Sequence, residues 1–407
     1  MSLSNPTLTD RKAAHRRILQ NLRRRVLDRI LPGLAAGRLQ LLLPDGAIIE
    51  RRGAGGGPEA VMTVHRWRGL LRILREGEDG FTNGYLDGDW STPDLAALLD
   101  LGMRNDAALS GRTRRWLLSL ARNRFVHALR ANTRRGSRRN IAAHYDLGND
   151  FFRPWLDAGM NYSSALFTGA ETLEQAQEVK LARIAELLAL TGGEHVLEIG
   201  CGWGALAERL VRHDGARVTG ITLSREQLAF ARTRLAKEID GRRADVRLLD
   251  YRDVDGRFDR IASVEMIEAV GERYWPVYFQ KLRACLQAGG YAVLQAITID
   301  DSRFADYRKN PDFIQRYIFP GGMLPTRSIM LREAARAGLR LVTHEAFSDS
   351  YARTLREWRL RFLRAWPSIE RLGFDQRFRR MWEYYLAYCE VGFRTGAIDV
   401  GFFKFAG

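Results

Sequence analysis

Three glycines in five positions, Gly200-Cys201-Gly202-Trp203-Gly204, are where residue type and spacing in this 407-residue chain first imply chemistry. The residues before them, 196–199, read as a short buried parallel strand, and 205–212 as an amphipathic helix. A strand, a tight glycine turn and a helix N-terminus bring bare backbone against a ligand at the carboxyl end of a sheet. The spacing is GxGxG, not the GxGxxG of a dinucleotide site. About 20 residues on, where such a site needs an acid for the ribose, stands Gly220. Acids close the later strands: Asp250, with Tyr251, ends the third, Glu265 ends the fourth, and Glu268 follows on a loop. Cys201, Cys285 and Cys389 are widely spaced and give neither a metal pattern nor a disulfide framework, so no metal is expected and a reducing cytoplasm suits the chain.

The elements that position these residues can be read outward from the turn. A helix over 172–190 runs into it. Strands at 217–221, 246–249, 258–264 and 291–297 then alternate with helices at 225–237 and 274–286, the mark of a doubly wound sheet. Residues 300–326 break the alternation with an aromatic, proline-bearing insertion, placed over the ligand edge where lids are found. Sixth and seventh strands are expected at 339–345 and 398–405, with an aromatic-rich helical stretch over 351–394 between them. Ahead of the sheet, 37–53 alternates around Pro44-Asp45-Gly46 as a hairpin. A glycine-rich loop over 53–58, a strand over 60–65, a helix from 67, a turn-rich stretch over 81–90 and a helix over 93–101 complete a small α+β unit. The expected organisation is a small N-terminal α+β domain over 1–110, a basic helical linker over 111–138, and an α/β domain over 139–407 with its lid near 300–326.

The hydrophobic content of 46% fits a globular protein with a full core, and no run of 18 apolar residues suggests a membrane span. The formal charge of +16 predicts an anionic partner. Residues 10–31 read as a basic amphipathic helix, and 111–140 hold ten arginines and no acid. No zinc finger, RNA-recognition signature or basic zipper favours nucleic acid, which leaves an anionic lipid surface as the expected partner. An arginine-rich composition throughout, or helices merely solvated on one face, is the plainer account of the same charge.

Seven stretches in fixed order carry a resemblance: HYDLGNDFF from His144, YSSALF from Tyr162, VLEIGCGWG from Val196, SVEMIEAVG from Ser263, QRYIFPGGMLP from Gln315, AFSDSYARTLREW from Ala346 and YYLAYCEVGFRTG from Tyr384. The third alone resembles the S-adenosyl-L-methionine (SAM) motif of class I methyltransferases. Together they resemble the cyclopropane-fatty-acyl-phospholipid synthase family, including its mycolic acid relatives, strongly from about residue 139 to the end and more loosely before it. The resemblance implies a class I SAM-dependent methyltransferase fold, a Rossmann-like seven-stranded α/β sheet preceded by a small α+β domain. It implies transfer of a one-carbon unit from SAM to the cis double bond of an unsaturated phospholipid acyl chain, giving a cyclopropane, in the cytoplasm at the inner face of the cell membrane. Gly200, Gly202 and Gly204 would line the methionine and ribose region, and Tyr162 and Ser163 would close over the methionyl part. Thr222, Leu223, Ser224 and Gln227 would hold the ribose side, Asp250 and Tyr251 would frame the adenine, and Val264 would lie beside the cofactor. In such a family a bound bicarbonate is thought to be the base; the resemblance assigns its surroundings to Glu268, Tyr351, Ser164, Gln295 and the backbone of Ile297. The aromatics from Phe304 to Phe319 are candidates for an acyl tunnel, against a plainer reading as core.

Two of these positions depart from the family pattern. Ser164 stands where a cysteine is usual, and Gln295 where a histidine is usual. Neither side chain can carry a positive charge, so the expected bicarbonate site is altered. That bears on ring closure more than on methyl transfer, and it keeps open a relative that gives methylene or methyl-branched chains, furan fatty acid routes included. Glu268 could instead cap a helix, Tyr351 could be a packed aromatic, and His144 reads as a structural residue at a helix end. A non-catalytic lipid-binding protein is the rival from another class, and a homodimer is left open.

Overall fold

The computed structural model describes residues 33–106 and 147–407. The expected helix over 10–31, the basic linker, His144 and the boundaries at 110 and 138 lie outside the described residues. The chain divides into two compact units, each taken by itself below.

In the first unit, β1 (Ala36–Leu42) and β2 (Ile48–Arg52) form the expected hairpin, closing from Leu42 opposite Ile48 around the Pro44-Asp45-Gly46 turn. β3 (Gly55–Val64) lies parallel to β1, and a short β4 (Trp90–Ser91) completes a sheet of order β2-β1-β3-β4. Helices α1 (Trp67–Glu76), α2 (Glu78–Leu86) and α3 (Leu95–Arg104) accompany it. Two expectations are corrected. The glycine run is strand rather than loop from Gly55 onward. It pairs with β1 so closely that a Cβ on Gly57 would lie 3.0 Å from the Gly37 nitrogen, a tight approach that favours glycine. The stretch read as turn-rich begins with α2, because Gly84 lets the helix press on the Trp90 ring, 2.9 Å from where a Cβ would stand, and packing overrides propensity.

The described part of the second unit begins with a single turn, α4 (Asn149–Phe152), and α5 (Leu173–Leu188), whose start is fixed by a Thr172/Gln175 capping box. There follow β5 (His195–Ile199), α6 (Ala205–Arg212), β6 (Arg217–Thr222), α7 (Arg225–Arg234), α8 (Ala236–Asp240), β7 (Ala244–Leu248), β8 (Phe258–Val264), α9 (Ile267–Val270), α10 (Trp275–Cys285) and β9 (Leu286–Ile299). The insertion supplies α11 (Asp301–Lys309) and a π-helical turn at Ile314–Ile318, and α12 (Arg327–Arg336) follows it. Last come β10 (Arg340–Ala346), α13 (Ser348–Glu370), α14 (Gln376–Arg394) and β11 (Ile398–Ala406). The sheet order is β10-β11-β9-β8-β5-β6-β7, with β11 alone antiparallel to its neighbours. This is the seven-stranded, doubly wound architecture of a class I methyltransferase.

Both faces of that sheet are buried, which is why its strands read as continuous apolar runs. Leu197, Ile199, Ile261, Leu294 and Phe403 pack on one face with Trp275, Phe279 and Leu282 of α10. Val196, Val218, Ala262, Val293 and Phe402 pack on the other with Ile184 and Leu188 of α5 and Leu206 and Leu210 of α6. The chain order steps from β5 outward in both directions, and the carboxyl ends of β5, β6 and β8 meet at that switch point.

Candidate active site

A cavity opens at those strand ends. Its floor is the glycine turn, where Gly200, Gly202 and Gly204 all have positive φ (82°, 53° and 86°). Gly200 is pressed on by Met266, so a side chain there would collide. A Cβ on Gly202 would meet no protein atom within 4 Å, which leaves the space beside this backbone to whatever the cavity holds. Tyr162, Ser163, Thr222, Leu223, Gln227, Tyr251 and Val264 line the same cavity.

Three positions expected at the cofactor stand behind the wall instead. Gly204 is the N-cap of α6, and a Cβ there would lie 3.2 Å from that of Ala231 in α7. Ser224 caps α7, its Oγ accepting from the Gln227 N–H at 3.3 Å, while the Thr222 hydroxyl donates to Gln227 Oε1 at 2.8 Å and aims that side chain. Asp250 is buried with its carboxylate accepting twice from the Arg252 guanidinium, at 2.8 and 2.6 Å, so it braces the turn that presents Tyr251. Sequence order put all three beside cavity residues; Gly204 turns the backbone into α6, and capping and ion pairing engage the side chains of Ser224 and Asp250.

Of the five residues expected around a bicarbonate, Ser164, Gln295 and Tyr351 gather around a carboxylate of the chain itself, while Ile297 and Glu268 pair with each other. Glu265, the residue after β8, has φ 50° and projects into the cavity wall. Its Oε1 accepts from the Ser164 N–H and from Gln295 Nε2, both at 2.8 Å. Its Oε2 accepts from the Tyr351 hydroxyl at 2.6 Å. The Ile297 N–H donates to Glu268 Oε1 at 2.5 Å, and Glu268 Oε2 is buried without a partner. Burial first, and Glu265 second, push the Glu268 carboxyl up to about 8, whereas the hydrogen bonds from Tyr351, Ser164 and Gln295 oppose the rise that burial imposes on Glu265. A carboxylate accepting three donors is suited to the ionised form; one with a single donor and an orphan oxygen is suited to the acid. The donors that would hold bicarbonate are thus already engaged, and a further anion would be repelled by the Glu265 carboxylate. The residues present do not fit bicarbonate.

Besides Glu265, sequence reasoning missed Lys180 and Glu198, which also line the cavity. Lys180 is fully buried on α5, with Nζ donating to Ser163 Oγ at 2.8 Å. Glu198, the acid within the strand before the glycine turn, is buried with Oε2 unpartnered, and burial pushes it up to about 8. A charged residue inside an otherwise apolar strand was the available signal. The chain that reaches over the cavity is shaped by Asp157, whose carboxylate accepts from the N–H groups of Gly159 and Asn161 at 2.8 Å each. The insertion after β9 is tied to this edge: the Met323 N–H donates to the Glu268 carbonyl at 2.8 Å, and Gln315 Nε2 to the Gly322 carbonyl at 2.9 Å. Its aromatics fold onto α14, with Phe313 4.7 Å from the Tyr384 ring.

The residues fit SAM on the structure's own terms. An open glycine floor accepts a ligand's backbone-close portion, the Glu198 acid suits an amino-acid end, and Leu223, Leu249 and Tyr251 give an apolar wall for a flat ring.

Comparison with known proteins agrees. The model of the family described as mycolic acid cyclopropane synthetase matches residues 132–403. Among curated relatives, the tuberculostearic acid methyltransferase UfaA1 of Mycobacterium tuberculosis is 41% identical over 372 residues, 89% of this chain and 86% of its own. The cyclopropane-fatty-acyl-phospholipid synthase of Escherichia coli is 35% identical over 329 residues, 81% of this chain and 83% of its own. Among solved structures, the mycolic acid cyclopropane synthase CmaA1 complexed with SAH and CTAB is 31% identical. It has a TM-score of 0.63 and covers 66% of this chain and 98% of its own. Fold, glycine floor and these matches converge: the chain is a SAM-dependent lipid methyltransferase and belongs to the mycolic acid cyclopropane synthetase family.

Proposed function

We propose that this enzyme adds a one-carbon unit to the double bond of unsaturated phospholipid acyl chains, with Glu265 as its built-in base, and that the product is a methylene chain rather than a ring. The observation that carries the base is the Glu265 carboxylate held by Ser164, Gln295 and Tyr351, where the family resemblance had put an exogenous anion. When bound, SAM supplies an electrophilic methyl on a sulfonium, which the alkene attacks, leaving positive charge on the neighbouring chain carbon. Tyr351, its ring stacked 4.3 Å from Phe393, sets aromatic faces beside Glu265, and Ser164, Gln295 and Tyr351 aim the carboxylate. Glu265 takes a proton from the added carbon. If the freed pair closes across the chain, a cyclopropane results. If a hydride has first moved to the charged neighbour, the pair forms an exocyclic double bond. The second outcome is supported by the relative named for tuberculostearic acid, a methyl-branched chain. A methyl branch then requires a separate reduction of the methylene product.

The charge of +16 supports an anionic phospholipid surface as the site of work, and among the described residues no helix is long and apolar enough to cross a membrane. The test is gas chromatography with mass spectrometry of methyl esters from purified enzyme, SAM and unsaturated phospholipid, in buffer freed of bicarbonate and in buffer with it added. A product heavier by one CH2 that takes up hydrogen over a mild catalyst, formed equally in both buffers, is expected. A product inert to hydrogenation would show a ring, and dependence on bicarbonate would remove Glu265 as the base.

A further inference from the structure

Lys180 has no part in the reading above, yet its ammonium is among the most completely enclosed groups of the unit, 1% exposed and facing the cavity that Glu265 faces. An ammonium is not buried without compensation. Its hydrogen-bond acceptor is the Ser163 hydroxyl at 2.8 Å, and one turn earlier on the same helix Gln177 Nε2 donates to the Ser163 carbonyl at 3.0 Å. The next residue along, Ser164, is the one whose N–H grips Glu265. The charge of Lys180 therefore stands one residue from the base's own anchor.

The carboxylates that act on Lys180 come from four elements: Glu265 after β8, which acts most strongly, then Asp157 before the Tyr162 segment, Glu198 on β5 and Glu178 on α5 itself. Around Glu265 the other polar groups are the Tyr351 hydroxyl, the Gln295 amide and the Ser164 N–H, with Glu268 the nearby acid. Tyr385, whose hydroxyl meets that of Tyr162 at 2.9 Å, lies within the same field. Of all these, Lys180 is the one cation.

We propose that Lys180 is a positioning residue for the reaction: its ammonium is the counter-cation that keeps Glu265 ionised, and through Ser163 it fixes the backbone that holds the carboxylate. This rests on the reading of Glu265 as the base. Burial lowers Lys180 to about 8, so its charge is present below that pH and withdrawn above it. Its effect on Glu265 therefore belongs to the acidic side of the profile.

The test uses the full-length enzyme and Lys180→Met, which keeps the length of the stem, with Lys180→Gln as a second neutral variant should the first not fold. Turnover is followed against pH with SAM and unsaturated phospholipid vesicles. On the acidic limb the neutral variants should turn over about tenfold more slowly than wild type, the limb moving up by about one unit. Above pH 9 the profiles should converge, with KM for SAM changed less than threefold. Lys180→Arg should restore part of the acidic limb. Independently of activity, thermal unfolding of Lys180→Met, Glu265→Gln and the double variant at pH 7 should show coupling, the lysine change costing stability only while Glu265 is present. An unmoved limb, or an additive cycle, would overturn the proposal. Glu265→Gln with near-normal turnover would instead remove the base reading, and the cycle would still report whether the two charges are paired.

Discussion

Replacing Glu265 by glutamine asks the most of the proposed chemistry. The amide keeps an acceptor oxygen for the Ser164 N–H and Gln295 Nε2, and its NH2 then faces the Tyr351 hydroxyl, which can turn to accept. One donor pairing is exchanged for another, so the structural cost is of order 1 kcal/mol, and relief from enclosing a charge offsets part of it. The melting temperature should hardly move. Turnover should fall about 10²- to 10⁴-fold, the usual worth of a general base, which is ~3–5 kcal/mol of barrier. The assay is release of S-adenosylhomocysteine together with methyl-ester chromatography, with SAM affinity measured by calorimetry on the same preparation. Unchanged SAM affinity with lost turnover is the expected pair. A companion variant, Glu265→Gly, suits the positive φ and leaves the donors of Ser164, Gln295 and Tyr351 open to a small anion. Added bicarbonate should restore part of its activity. Turnover of Glu265→Gln within tenfold of wild type would refute the reasoning outright, because among the described residues no other carboxylate accepts that set of donors.

Glu268, pushed up to about 8 by burial and by Glu265, favours the acid form near neutral pH, so Glu268→Gln should keep turnover within tenfold of wild type by the same assay. The raised value means the folded chain holds the proton more tightly than the unfolded one. Stability from this group is full below its ordinary 4.5 and is lost as pH rises toward about 8, so urea midpoints of Glu268→Gln should gain on wild type across that window. Gly202→Val should abolish SAM binding in calorimetry while circular dichroism shows a folded chain, since its side chain would enter the open space beside the turn. Sedimentation with anionic vesicles should weaken as salt rises from low to physiological ionic strength, and salt-independent binding would exclude a charge-driven first contact.

The glycine turn, the alternating strands and helices after it and the helix before it were legible because each is a local pattern: three glycines in five residues, buried apolar runs and helical stretches between them. The centre of the site was not. Glu265 was visible as the last residue of a strand, but its role depends on donors 101, 30 and 86 residues away in sequence. The anomalies at Ser164 and Gln295 were seen as departures, and only the fold reveals the carboxylate that answers both. Asp250 differs in the opposite sense, since its position in sequence suggested a ligand contact and its carboxylate pairs with the neighbouring Arg252. In the smaller unit, the glycines of α2 and β3 were read as breakers, whereas tight packing is what they permit.

The Tyr162–Ser164 segment has a consequence for the order of events. Tyr162 and Ser163 wall the cofactor cavity, and Ser164, next along the same backbone, steadies the base. A ligand that settles against the first two residues also stiffens the third, so the carboxylate is best aimed when the methyl donor is already seated. A lipid arriving first would meet a looser grip. Amide hydrogen exchange at Ser164 should therefore slow when SAM is added alone, and an obligatory sequence, donor before acyl chain, is the kinetic signature of one strip of backbone serving two tasks.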